Sequence, residues 1–121
     1  MAIGGLNAWV GGAQGDHGWS SGTLQVNPTD GTVLASISGL TGGKYMFATS
    51  GFGTAGWTYD IQLQDVNNTV VQTQRRNPGT GTDDFLFPNK VSCLADYQLK
   101  LILRGGITGT VQMSIFFQEV G

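Results

Sequence analysis

This chain has little of what usually carries chemistry or charge. Among its 121 residues are one cysteine, one histidine and one glutamate, and only 12% of the residues are charged, about half the usual ~25%. Cys93, being alone, cannot pair within the chain. No disulfide framework exists, which fits synthesis in a reducing compartment, and Cys93 reads as a small buried hydrophobe. His17 lies in the run Gly15-Asp16-His17-Gly18. A Ser-His-Asp system needs a histidine held by packing beside a nucleophile, and a Gly-flanked one is a poor base. One His and one Cys do not complete a zinc site. With Glu119 as the sole Glu and most Asp residues at turns, no glycosidase pair emerges; Asp60, in mid-strand, has no evident partner. Asp83-Asp84, and Asp65 with Asn67 and Asn68, lack the spaced array of oxygens that calcium requires and read as turn chemistry. The expectation is a protein that is not an enzyme, with no catalytic residue, metal or cofactor.

Other absences bear on partners. Of the six cations, Lys44, Arg75, Arg76, Lys90, Lys100 and Arg104, only two are adjacent, so there is no phosphate-binding stripe and no nucleic-acid partner is expected. No stretch approaches the ~18 apolar residues of a membrane-spanning helix. Met1 to Val10 shows neither the basic start nor the apolar core of a secretory signal. A surface so poor in ions can be covered by a partner at low desolvation cost, which favours a subunit of an assembly. The alternative is a monomer solubilised by neutral polar groups.

What is present is β pattern. In the run from Trp57 to Asp65, apolar and polar residues alternate as far as Gln64, so Trp57, Tyr59, Ile61 and Leu63 share one face and Thr58, Asp60, Gln62 and Gln64 the other. Near the C-terminus Val111, Met113, Ile115 and Phe117 alternate with Gln112, Ser114, Phe116 and Gln118. Phe116 falls on the polar side. It is either an exposed interface anchor or the mark of a β-bulge that turns it inward.

Turn residues divide the chain from residue 23 onward. The spacing predicts strands over 23–26, 32–38, 44–50, 57–65, 69–74, 84–87, 97–103 and 110–120. About eight strands with no helical period predict an all-β, single-domain antiparallel sandwich, jelly-roll-like, with an immunoglobulin-like sandwich as the alternative. One domain of this length buries roughly two-thirds of its unfolded surface. Residues 1–22 stand apart as a Gly-rich N-terminal arm, and 23–121 form the sandwich domain. Seven of the first 22 residues are Gly, with Trp9, Val10 and Trp19 among them. Either this is an extended arm that packs its aromatics on a body or neighbour, or it is an ordinary first strand plus loop.

The segments Val33–Leu40, Gly43–Phe47 and Tyr59–Asp65 resemble the strand grammar of small jelly-roll domains, among them bacteriophage capsid decoration (cement) proteins and some carbohydrate-binding modules. The resemblance covers roughly residues 23–120 and is a pattern without a signature motif. The Gly-rich arm, low charge and missing catalytic set look more like the phage group. That likeness implies a structural virion protein, made in the host cytoplasm, on the capsid exterior. It would bind the major capsid protein and itself, as a dimer or trimer, and staple neighbouring capsid subunits. Its docking residues would be Trp9, Val10 and Trp19, with Phe116 as a further candidate, because Trp is enriched among interface anchors. The competing expectation is a carbohydrate-binding module, free or in a phage tail or fibre, whose exposed aromatics stack on sugar rings.

Overall fold

Alternation every second residue builds two sheets, and the computed structural model describes them over residues 17–120. The strands are β1 His17–Ser21, β2 Gln25–Val26, β3 Val33–Leu40, β4 Gly43–Gly53, β5 Thr58–Gln64, β6 Val70–Arg76, β7 Gly81–Leu86, β8 Val91–Cys93, β9 Tyr97–Arg104 and β10 Thr110–Glu119. The larger sheet has the order β1-β10-β4-β7, with β2 also on β10 and β8 also on β4; the smaller has the order β3-β9-β5-β6. Every pairing is antiparallel. The chain passes from one sheet to the other at most connections, which makes the sandwich jelly-roll-like.

All eight expected strands are present. Two more, β1 and β8, come from segments too short or too Gly-rich to show a period. The arm boundary drawn at residue 22 therefore runs past a strand: His17–Ser21 pairs along β10 from Gln118 to Ser114. Within the described part of the arm, the ordinary first strand is what forms. Trp9 and Val10 lie outside the described residues. Turn chemistry works as the sequence suggests at Asp65, whereas Asp83 and Asp84, also expected at a turn, lie within β7. Asn68 takes φ 63°, and the Asp65 carboxylate accepts the N–H groups of Asn67 at 2.8 Å and Thr69 at 2.9 Å, closing the β5–β6 hairpin.

The inward faces meet in one core. Trp57, just before β5, and Tyr59, Ile61 and Leu63 of β5 lie against Tyr45 and Phe47 of β4 and Val111, Met113 and Ile115 of β10, all buried. Fully burying each such side chain contributes roughly 1.5–3 kcal/mol. Tyr45 and Phe47 stack at 5.9 Å, Phe47 meets the edge of Phe87 at 5.7 Å, and Phe117 tilts onto Tyr45 at 6.1 Å. Cys93 is buried beside them, and burial pushes its thiol up to about 11, so at neutral pH it is the small hydrophobe its isolation suggests.

Candidate functional site

Phe116 is decided by the β4–β10 ladder, which runs from Val111↔Gly53 to Glu119↔Tyr45 without a register shift. With no bulge to rotate it, Phe116 keeps its outward place and is 40% exposed. Its partner on β1 is Trp19, itself 41% exposed. The same row continues through Ala48 on β4 to the exposed Leu86 on β7. One apolar row thus crosses the outer face of the larger sheet. The next row is polar: Ser21, Ser114, Ser50 and Asp84 are register partners in turn. Ser50 Oγ donates to Asp84 Oδ1 at 2.5 Å and Ser114 Oγ to Ser21 Oγ at 3.1 Å.

Two depressions flank the aromatic pair. One, of about 320 Å³, is lined by Phe116, Ala48, Ser50, Asp84 and Leu86. The other, of about 250 Å³, lies where β1 meets β3 and is lined by Trp19, Ser20, Ser38, Leu40 and Phe117. The first sits at the small end of the ~300–1,000 Å³ range of ligand pockets and the second falls just below it. Apolar ring faces beside hydroxyls and a carboxylate, all on a hydrogen-bonded sheet, can stack on one face of a ligand and bond its edge.

Of the expected docking residues, then, the structure brings Trp19 and Phe116 together, while Trp9 and Val10 fall outside the described part. Leu86, Ser50 and Asp84 joined the site without warning from the sequence. Only the cross-strand register puts them beside Phe116, and no local pattern encodes that register.

The titratable groups are arranged for structure. Tyr59 Oη donates to Asp83 Oδ2 at 2.7 Å and lies 3.0 Å from Thr49 Oγ1, and burial pushes its phenol far above the ordinary range. Asp83 also accepts from Arg76 Nη2 at 2.5 Å, and the Arg76 guanidinium sits 4.5 Å over the Phe85 ring. Asp60, read from sequence as lacking a partner, accepts from Arg75 Nε at 2.7 Å and Arg104 Nε at 2.9 Å. The Arg75 contact, with Arg104 beside it, holds the carboxyl below the usual range. His17, expected in a loose loop, is buried on β1 opposite Gln118. Among the described residues no three His, Cys, Asp or Glu side chains gather as metal ligands would.

No family model matches the chain, and no curated protein does. Solved structures do. A structure described as "CBM4 structure and function" superposes with TM-score 0.52 at 17% identity, over 86% of this chain and 69% of its own. The apo form of BiXyn10A CBM1 gives TM-score 0.50 at 12% identity, over 81% and 89%. The CBM36-1 domain of a multidomain xylanase from the hindgut metagenome of Trinervitermes trinervoides gives 0.50 at 10% identity, over 88% and 98%. At these identities the likeness is one of fold: the protein shares the β-sandwich of carbohydrate-binding modules.

Proposed function

We propose that the protein is a non-catalytic carbohydrate-binding β-sandwich whose binding platform is the outer face of the larger sheet. The observation that carries this reading is the register pair Trp19–Phe116, half-exposed beside the Ser50–Asp84 hydrogen bond. The two rings offer apolar faces to a sugar ring. Ser50, Ser114 and Asp84 offer hydrogen bonds to its hydroxyls, and the sheet holds them without an ordering cost on binding. The carbohydrate-binding folds of the solved neighbours support it. No acid–base pair is needed, since the platform only has to hold its ligand.

Native electrophoresis through gels containing soluble xylan, mixed-linkage glucan or dextran tests this. At least one neutral polysaccharide retards the protein, and Trp19→Ala or Phe116→Ala weakens that retardation roughly three- to tenfold, the worth of an aromatic contact. If no polysaccharide slows the wild type, the reading fails.

A second reading has an observation of its own. Leu86 at 64% and Phe52 at 51% exposure extend the apolar surface across the sheet, further than one stacked sugar needs. The same face would then be a protein anchor, placing the chain on a phage capsid exterior with the major capsid protein and further copies of itself as partners. Co-sedimentation with expanded heads lacking decoration protein, lost in Leu86→Asp, distinguishes it.

A further inference from the structure

The opposite face of the molecule, the outer side of the smaller sheet, has a different chemistry. The alternation of β5 sends Thr58, Asp60, Gln62 and Gln64 there, yet Asp60, Gln62 and Gln64 are 4%, 8% and 6% exposed. Neighbouring strands cover them. Arg75 stands opposite Asp60, while Thr73 and Lys100 flank Gln62. The buried carboxylate and most side-chain amide oxygens on this face are consumed internally. Both Asp60 oxygens are taken, Oδ1 by Arg75 Nε and Oδ2 by Arg75 Nη2 and Arg104 Nε. Gln62 Oε1 accepts from Gln64 at 3.0 Å, Gln64 Oε1 from Gln98 at 3.3 Å, and Asn68 Oδ1 also from Gln98. Asn77 Oδ1 accepts from Thr58 at 2.8 Å.

Apart from the Ser36 and Thr73 hydroxyls and Gln98 Oε1, what is left over is donors: the remaining guanidinium N–H groups of Arg75 and Arg104, the amides of Gln62 and Asn77, and the Lys100 ammonium. Arg104 and Asn77 also line a depression of about 300 Å³ with Trp57, Thr58, Gly105 and Gly106. The Trp57 indole N–H is buried without an acceptor among the described residues. Charge points the same way. Three of the six cations of a chain with net charge −2 meet here. Against them stand the buried Asp60 and, near Arg75, Asp30, whose carboxylate accepts from Gly105 N at 2.7 Å. A partner for a face of surplus donors must bring acceptors and negative charge.

We propose that this face is a second binding surface, which takes the carboxylate-bearing residues of an acidic polysaccharide against Arg75, Arg104, Lys100 and Gln62. Asp60 pre-positions the two guanidiniums, so little side-chain freedom is lost on binding. A nucleic acid fits less well, because β3, β9, β5 and β6 place no aromatic ring on this outer face on which bases could stack. The surface lies on the far side of the sandwich from Trp19 and Phe116, so it stands or falls apart from that platform.

The test is binding of the full chain to immobilised polygalacturonate and, separately, to immobilised dextran, at low salt and at about 0.3 M salt. Polygalacturonate binds at low salt more tightly than dextran. Lys100→Glu, which touches neither Asp60 nor the core, weakens this roughly tenfold or more, and Trp19→Ala leaves it unchanged. In the Trp19→Ala background, which disables the other platform, binding to polygalacturonate no stronger than to dextran overturns the proposal, as does binding that survives Lys100→Glu. So does full displacement by inorganic sulfate where chloride of equal ionic strength has no effect, since that describes a free-anion site. An oligo-dT that binds as tightly as polygalacturonate also overturns it, because the face would then not select for sugar.

Discussion

The Tyr59 hydroxyl donates to Asp83 Oδ2 at 2.7 Å, joining β5 of the smaller sheet to β7 of the larger one. Thr49 on β4 shares the hydroxyl, and Arg76 on β6 takes the other side of Asp83. A polar cluster thus closes one open side of the sandwich, where the β6 and β7 edges meet. Tyr59→Phe keeps the ring and removes the hydroxyl, leaving Thr49 and Asp83 short of one buried bond. The expected loss is about 1–3 kcal/mol in urea unfolding, with an unchanged slope. A loss below about 0.5 kcal/mol would mean that the cluster does not tie the sheets.

Asp60 gives the acid limb of the stability profile. Its folded pKa lies below the ordinary 3.8, first because of the Arg75 contact and then because of Arg104. The unfolded chain therefore binds its proton first on acidification. The stability from this group is complete above about pH 4 and drains away as pH falls from there through the folded pKa. Asp60→Asn should lower stability at pH 7 by about 1–3 kcal/mol, since both arginines can rehydrate. It should also flatten the decline below pH 4. Urea midpoints for both proteins between pH 2.5 and pH 7 check it, and parallel curves would remove Asp60 from the account.

Gly22 is a packing glycine. Its N–H donates to Met113 O at 2.8 Å, and a Cβ built on it would run into the backbone carbonyl of Leu34. Backbone cannot swing aside as a side chain would, so Gly22→Ala should cost more than about 2 kcal/mol. Gly79 has open space and an ordinary backbone conformation, so Gly79→Ala should be neutral or slightly stabilising. Thermal unfolding of the two variants side by side is the measurement. Equal melting temperatures would contradict the close approach of β1's end to β3.

The strands were legible wherever the period was long. β5 and β10 each alternate over several residues with one face destined for the core, so position and facing follow from sequence. β1 stood only as one of two alternatives, because its Gly18 and two serines carry no hydrophobic period. It is a strand because β10 offers it a ladder. Asp60 was visible as an odd mid-strand carboxylate, but its partners lie 15 and 44 residues along the chain. Trp19 and Phe116 were each nominated separately, as aromatics in unexpected company, and their pairing was not.

The sequence by itself determined that this protein is a charge-poor, all-β sandwich, and which residues of its longest strands turn inward. A two-residue period and turn-forming Gly, Asn and Pro are local properties of the chain. Only the tertiary structure decided which strands lie side by side. That placed Trp19 against Phe116 and Leu86 in one apolar row, and wrapped two arginines around Asp60 on the opposite face. Such neighbours are set by register and sheet order, which arise from how the two apolar faces fit together.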